Sequence, residues 1–354
     1  MKSELLAFLS CPACQCNLKL EEKTEVVLLE HGSEEIITGK ISCTAGHLFA
    51  IVRGIPRLVD ARLSGFDDLH TGKKFGESWS QFHRFHPAYV RQFFDWMSPI
   101  NSSFVKNKLV LDAGCGKGRH ARVMAESGAS IVVAVDIGDS VEVAYKNLRN
   151  FRNVHVVQGD IKALPVKPIF DIVYSTGVLH HMANPQFGFS SLWKKVNKKG
   201  TLGVWVYGKE NNWWILAFVN PVRKLITSRL PSKVLRVISI LVASVVYACS
   251  RFIYKLWYAL RGSVEFLPPL FYEAYMQYVS NFDFEEIDHI VYDHLVAPVA
   301  YYLPREEVVA WGKSVSPAFS RIRWHNRNSW TLVVSKDANL GAELASTDGL
   351  ISVS

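Results

Sequence analysis

The 354-residue sequence predicts an α/β fold built on a doubly wound, mostly parallel sheet, and three observations support this prediction. Short apolar runs typical of buried strands recur along the chain, at residues 108–112, 131–135, 154–157, 170–175 and 201–207. Segments with helical spacing, such as 118–127 and 184–196, separate these runs. Two further strand patterns, 319–325 and 329–335, are joined by the turn N-R-N, which predicts a closing antiparallel hairpin.

The composition is that of a folded globular protein with a basic surface. Hydrophobic residues make up 49% of the chain and charged residues 20%, and the formal net charge is +8. A positive charge favours anionic partners such as RNA or a phospholipid surface. The first apolar run is too short, and is interrupted too early by Glu4, to be a secretory signal. We therefore expect a cytoplasmic protein.

The N-terminal cysteines have the spacing of a zinc site. Cys11 and Cys14 form one C-x-x-C pair, and Cys43 and His47 form a second pair around a glycine turn. Two such pairs can supply the four ligands of a closed, structural Cys3His site. Cys16 is an alternative to Cys14 as a ligand, and unrelated buried thiols are the alternative to a metal site.

A glycine-rich loop, D-A-G-C-G-K-G, follows the first core strand. Its spacing is G-x-G-x-G, through Gly114, Gly116 and Gly118, and not the G-x-G-x-x-G that binds a dinucleotide pyrophosphate. Asp136 ends the next strand, where a carboxylate can accept both hydroxyls of a ribose. Asp112, at the start of the loop, suits a cationic ligand. These features favour S-adenosylmethionine (SAM), which carries no phosphate.

Five strand-end motifs together carry a family resemblance. The runs D-A-G-C-G-K-G-R-H, V-A-V-D, V-V-Q-G-D-I-K-A-L-P, F-D-I-V-Y-S-T-G-V-L-H-H-M and W-V-Y-G resemble those of class I SAM-dependent methyltransferases of the type 11 group. The resemblance extends over about residues 75–336 with one insertion, and it implies a Rossmann-like sheet whose last strand is antiparallel. It also implies a set of cofactor-binding residues: Asp112, Gly114, Gly116 and Gly118 at the methionine end, Asp136 at the ribose, Asp160 and Ile161 at the adenine, Gly177 and Val178 beside the methyl group, and Phe75 and Trp79 closing over SAM.

The N-terminal part carries a resemblance of its own. The patterns C-P-x-C, C-x-x-G-H-x-F and G-I-P-x-L resemble the zinc-ribbon-like modules that partner, or are fused to, methyltransferases. The zinc head of bacterial large-subunit rRNA guanine methyltransferases is also similar, but this chain departs from it at residues 54–56.

Candidate chemical and acceptor-binding residues follow the core strands. His180 and His181 are candidates for a general base, because a neutral imidazole can take the proton of an attacking hydroxyl; alternatively, the pair only holds its loop. Four residues are candidates for contact with the acceptor: Tyr207, Asp293, His294 and Tyr301.

Residues 213–262 form an apolar insertion that contains eight Lys and Arg residues and no Asp or Glu. The longest uncharged stretch, between Arg236 and Arg251, is shorter than the ~20 residues of a membrane-spanning helix. Two interpretations remain. The insertion is either a buried cap over the active site or an interfacial segment that contacts an anionic membrane surface.

The sequence thus predicts six regions: a zinc module (1–62), a lead-in closing over SAM (63–105), the SAM-binding core (106–210), a helical insertion (211–300), the last helix and hairpin (301–336) and a disordered tail (337–354). We expect methyl transfer to a small, apolar acceptor derived from a lipid or a sugar. The alternatives are an rRNA or tRNA methyltransferase that grips RNA with the zinc module, and a SAM-binding scaffold without turnover. The location is the cytoplasm or the inner face of the membrane.

Overall fold

The fold is taken from a computed structural model that describes residues 1–28, 34–60, 62–263 and 267–338. Of the predicted disordered tail, residues 339–354 lie outside the described part of the chain. Eleven strands form one sheet: β1 (Leu18–Leu28), β2 (Glu34–Cys43), β3 (Leu48–Val52), β4 (Ile55–Leu58), β5 (Leu109–Ala113), β6 (Ile131–Asp136), β7 (Val154–Gly159), β8 (Phe170–Thr176), β9 (Val196–Tyr207), β10 (Phe319–His325) and β11 (Ser329–Ser335).

The central part of the sheet confirms the predicted doubly wound fold. Strands β7, β6, β5, β8 and β9 lie side by side and parallel, and β11 pairs antiparallel with β9 and with β10. Helices cover both faces, as the nearly continuous apolar strands require. Seven helices belong to the lead-in, the core and the closing segment: α1 (Phe66–Gln81), α2 (Tyr89–Trp96), α3 (Ser102–Val105), α4 (Arg119–Glu126), α5 (Ser140–Leu148), α6 (Pro185–Trp193) and α12 (Arg305–Ser314).

One predicted boundary in this core is wrong. The sequence predicts a helical segment to residue 196 and the fifth strand from residue 201, but α6 ends at Trp193 and β9 already begins at Val196. Gly200 makes this possible because a Cβ there would lie 2.7 Å from the carbonyl oxygen of Phe170. The absence of a side chain lets β9 approach β8 closely, and the lysines between residues 196 and 201 remain exposed.

The N-terminal module is continuous with the core sheet. Strands β1 to β4 form an antiparallel meander, and β4 then pairs in parallel with β7 through Arg57 opposite Gln158 and Leu58 opposite Gly159. The Arg57 guanidinium also donates a 3.2 Å hydrogen bond to Oε1 of Gln158. The module and the core therefore share a hydrogen-bonded backbone and one hydrophobic core.

A helical cap covers the carboxyl ends of the core strands. It consists of a π-helical turn (Ile215–Val219), α7 (Asn220–Leu225), α8 (Ser232–Ala248), a second π-helical turn (Cys249–Tyr254), α9 (Lys255–Ser263), α10 (Glu273–Val279) and α11 (Phe284–Val296). Helices α8 and α9 run through the second turn as one helix, Ser232–Gly262.

This helix is longer than the sequence predicted. It has 31 residues and is, by length and composition only, long and apolar enough to cross a membrane. The sequence analysis counted only the uncharged residues between Arg236 and Arg251. The helix continues beyond both arginines, which lie within it. Each of them is bound to the protein, Arg236 to the carboxylate of Asp288 and Arg251 to the carbonyl oxygen of Phe282.

Candidate cofactor and acceptor site

The glycine loop joins β5 to α4 and is tied to the end of β6 by Asp136. The backbone N–H of Gly116 donates to Oδ2 of Asp136 at 2.9 Å, and that of Gly138 donates to Oδ1 at 3.0 Å. Gly116 has a φ of +53°, which an L side chain rarely adopts. The loop therefore runs close beneath the space in front of the strand ends.

That space is a cavity of about 480 Å³, within the size range of small-molecule sites. Most of the predicted cofactor and acceptor residues line it: Phe75, Trp79, Gly114, Gly116, Asp136, Gly177, Val178, His181, Tyr207, Asp293 and His294. They come from α1, four strand ends and α11, so the topology brings together groups that lie up to 219 residues apart in the sequence.

Helix α1 forms the wall over the glycine loop. A Cβ on Gly116 would lie 2.9 Å from the indole of Trp79, and a Cβ on Gly72 would lie 2.6 Å from the side chain of Ile137. The ring centroids of Phe75 and His181 are 4.8 Å apart. Phe75 and Trp79 thus lie where the resemblance predicts residues that close over SAM.

Two of the predicted loop residues, Asp112 and Gly118, lie behind the cavity and do not line it. Gly118 packs against α5, since a Cβ there would lie 2.5 Å from the side chain of Leu148. Asp112 is buried at the end of β5, and its influence on a ligand is electrostatic.

Asp160 and Ile161, expected at the adenine, do not line the cavity either. Asp160 caps a short 3-10 turn, where its Oδ1 accepts from the N–H of Lys162 at 2.8 Å. Its Oδ2 accepts from Ser64 Oγ at 2.7 Å. The carboxylate is therefore engaged in holding the lead-in segment.

Tyr301, expected at the acceptor, is 45% exposed and does not line the cavity. Its neighbour Tyr302 lines the cavity instead. The two residues lie in an extended segment, where successive side chains point to opposite sides. Of the two tyrosines, only Tyr302 is therefore placed to contact a molecule in the cavity.

Two carboxylates give the loop a preference for cations. Burial raises the pKa of Asp112 to about 7 and also raises the pKa of Asp136, and repulsion from Asp136 adds to the rise at Asp112. A positive charge in the cavity would relieve this repulsion. The sulfonium and ammonium groups of SAM fit this electrostatic environment.

The two candidate bases differ in their access to the cavity. His180 lies beneath it, stacked on Tyr207 with the ring centroids 3.9 Å apart. His181 lines the cavity, and its Nδ1 donates a 2.6 Å hydrogen bond to the carbonyl oxygen of Val299. This bond places the proton on Nδ1 and leaves Nε2 with a lone pair. Burial lowers the pKa of His181 to about 4, so the ring is neutral at neutral pH.

Helix α11 contributes a charged cluster, of which the sequence predicted only Asp293 as a site residue. Asp293 accepts from Ser78 Oγ at 2.7 Å and lies 3.2 Å from Nε2 of His289. Glu286 faces Nδ1 of His289 at 3.6 Å and Arg119 at 3.8 Å. Burial opposes protonation of His289, but the two carboxylates outweigh it and raise its pKa. The signal available in the sequence was the i, i+3, i+7 spacing of these three residues on one helical face.

Four residues that line the cavity each contain a buried polar atom without a hydrogen-bond partner among the described residues. These atoms are Thr176 Oγ1, Gln92 Oε1, Trp205 Nε1 and Trp214 Nε1. Buried polar groups are rarely left unpaired. The four atoms have almost no accessible surface, so a bound molecule would reach them only if the surrounding side chains shifted.

The predicted zinc ligands lie together in the N-terminal module. The ligand atoms of Cys11, Cys14, Cys43 and His47 are all within 4.8 Å of one another. Cys14 Sγ lies 3.6 Å from Cys43 Sγ, and His47 Nδ1 lies 3.3 Å from Cys43 Sγ. Zinc bonds of about 2.3 Å to sulfur in a tetrahedron give S–S distances of about 3.8 Å, so the cluster could bind zinc.

Comparison with known proteins identifies part of the chain. Residues 111–204 match a family described as a methyltransferase domain. A tRNA U34 carboxymethyltransferase of Pseudoalteromonas translucida is 38% identical over 84 residues, which are 23% of this chain and 26% of that protein. Another, of Ruthia magnifica subsp. Calyptogena magnifica, is 27% identical over 179 residues, or 48% and 52% of the two chains. The chain thus spans about a quarter to a half of the length of these relatives.

Among solved structures, magnesium protoporphyrin IX methyltransferase of Synechocystis PCC 6803 with bound SAH is 13% identical. The superposition covers 75% of this chain and 96% of the Synechocystis chain, with a TM-score of 0.43. The similarity to a methyltransferase domain is thus confined to residues 111–204, which contain β6, β7, β8 and the glycine loop.

Proposed function

We propose that the protein transfers the methyl group of SAM to a small, apolar acceptor that binds beneath the helical cap. The observation that carries this proposal is the continuity of the cavity. It begins at Gly116 and Asp136 and extends to apolar side chains of the cap, among them Ile215, Val219 and Val246. An acceptor there would lie next to the methyl donor and be shielded from water, as methyl transfer by positioning requires.

Bound SAM would supply an electrophilic methyl group on a sulfonium. The chain's own residues would orient the acceptor and remove its proton. We propose His181 as the base, because its Nε2 carries a lone pair in the cavity and its Nδ1 is fixed by Val299. Nε2 of His181 would accept the proton of the acceptor hydroxyl as the methyl group is transferred to its oxygen, and the demethylated cofactor would leave as a neutral thioether.

Substitution of His181 tests this role. His181→Asn and His181→Ala should each lower the rate about 100-fold or more at unchanged SAM affinity, which calorimetry measures. The wild-type rate should stay constant down to about pH 5, because the active neutral form predominates above the pKa of about 4. The Asn side chain can still donate to Val299. If the histidine only holds its loop, the Asn variant will keep most of its activity, and the base assignment is wrong.

The cap wall provides a second test with a matched control. Val246 lines the cavity, whereas its neighbour Val245 is largely exposed on the outside of α8. Val246→Trp should fill the acceptor end and lower the rate of methyl transfer at least about tenfold without changing SAM affinity. Val245→Trp should change neither quantity. Equal rates in both variants would show that the acceptor does not bind beneath α8.

A second candidate function is methylation of RNA. It is favoured by the curated relatives, which are named tRNA U34 carboxymethyltransferases, and by the net charge of +8. The similarity to these relatives covers 23% of this chain in one case and 48% in the other.

Supplying methyl-labelled SAM to the purified protein and cell extract separates these functions. We expect label in the fraction extracted by organic solvent and resistant to ribonuclease. Ribonuclease-sensitive label would support the RNA candidate instead. SAM binding without label in any fraction would overturn both and favour the non-catalytic scaffold.

A further inference from the structure

Helix α8 places its large apolar side chains on the outside. Val237, Leu241 and Val245 follow one another at intervals of four residues and therefore share one face. Leu241 and Val245 are 64% and 63% exposed, and Phe252, one turn beyond the end of α8, is 74% exposed. A helix on the surface of a water-soluble domain normally turns polar residues outward.

The inward face of the same helix carries mostly small side chains. Leu235, Ser239 and Ala243, also four residues apart, are buried against the rest of the cap. Ser239 Oγ donates to the carboxylate of Asp288 on α11. The outward face of this helix therefore carries larger apolar side chains (Val, Leu and Phe) than most of the inward face, where Ser239 and Ala243 are buried.

The exposed apolar surface continues over the neighbouring cap elements. Trp213, Phe218, Leu225 and Ile226 are exposed before α8, and Ile253, Leu256 and Leu260 are exposed along its continuation. We call these side chains, with Val237, Leu241, Val245 and Phe252, the outer face of the cap. Contiguous apolar surface of this kind marks a site of interaction.

Charge complementarity identifies what this face contacts. The segment 213–262 has eight Lys and Arg and no Asp or Glu. Arg236 and Arg261 are paired with carboxylates of the protein. Lys224, Arg229, Lys233 and Lys255 are exposed, and in the described residues no carboxylate lies within 4 Å of them. Apolar side chains bordered by unpaired lysines and arginines fit an anionic lipid surface.

The fold also indicates how the helix would meet a bilayer. Contacts of Arg236 and Ser239 with Asp288, of Arg251 with the carbonyl oxygen of Phe282, and of Arg261 with Glu273 fix it lengthwise against α10 and α11. A helix held along one side by a water-soluble domain cannot enter the hydrocarbon end-on. It can lie in the plane of the interface with its outer face submerged.

We propose that the outer face of the cap docks the protein on the surface of an anionic phospholipid bilayer, with α8 and α9 parallel to the membrane plane. This docking is independent of the acceptor and of the chemistry proposed above. It depends only on the exposed side chains of residues 213–262 and on the neighbouring unpaired basic groups.

Vesicle sedimentation with the full chain tests the proposal. Wild-type protein should bind vesicles of phosphatidylcholine with phosphatidylglycerol at least about tenfold more tightly than phosphatidylcholine vesicles, and salt should weaken the binding. The triple variant Leu241→Asp, Val245→Asp, Phe252→Asp should lose this binding while retaining wild-type SAM affinity, which reports the fold. Lys224→Glu, Lys233→Glu, Lys255→Glu should lose the preference for the anionic vesicles.

The control carries Leu28→Asp and Phe66→Asp, two equally exposed apolar positions outside the cap. This double variant should bind vesicles like the wild type. The proposal is overturned if wild-type protein binds neither vesicle, if the control loses binding as the triple variant does, or if sedimentation equilibrium shows that the outer face instead joins two copies of the chain.

Discussion

Gly116→Ala should lower the affinity for SAM at least about tenfold, which is about 1.4 kcal/mol. The added Cβ would lie 2.9 Å from the Trp79 indole and at the floor of the cavity, so either the ring or the cofactor must shift. Calorimetric titration of SAM into the wild-type protein and the variant measures the change.

The matched control is Gly128→Ala. This glycine also has a positive φ, of +88°, but it lies outside the cavity, and a Cβ there would find only Lys106 at 3.5 Å. Both substitutions carry a backbone cost of about 1–2 kcal/mol, whereas only Gly116 faces the cofactor. Equal SAM affinities in the two variants would show that the glycine loop does not hold SAM.

Cys14→Ser should release zinc and destabilise the whole fold, whereas Cys16→Ser should do neither. Cys14 Sγ belongs to the four-atom cluster, and Cys16 does not. Because metal binding contributes directly to folding, we expect the melting temperature of the Cys14 variant to fall by about 5 °C or more. Elemental analysis of the purified proteins and thermal unfolding give the two measurements.

The pair also distinguishes the two ligand sets that the sequence left open. If Cys16→Ser loses the metal and Cys14→Ser keeps it, the cluster is rearranged around Cys16. If the wild type and both variants contain no zinc, the three thiols and the imidazole of the cluster do not bind this metal.

The sequence predicted the core where short-range patterns carry the information. The strand, glycine loop and helix around Gly116 and the acidic end of β6 at Asp136 all arise from local sequence. The paired spacing of Cys11, Cys14, Cys43 and His47 likewise predicted the cluster that could bind zinc.

Contacts that only tertiary packing decides could not be predicted from the sequence. Gly118 has the same spacing as its neighbours in the loop, yet it packs on Leu148 of α5. Asp160 follows a core strand as expected, but a hydroxyl 96 residues earlier in the chain, that of Ser64, engages its carboxylate. The sequence shows that α8 is apolar, but which of its faces is buried depends on α11, nearly 50 residues later in the chain.

The pairing of β4 with β7 has a consequence for any truncated form of this protein. Without the N-terminal module, the apolar strand β7, V-H-V-V-Q-G, would become the edge of the sheet. Lys2 would also be lost, and its Nζ now caps the carbonyl oxygens of Phe151, Arg152 and Val154. Exposed edge strands of this kind recruit other chains and aggregate. We therefore expect a variant that lacks the module to self-associate through β7, whether or not the Cys/His cluster binds zinc.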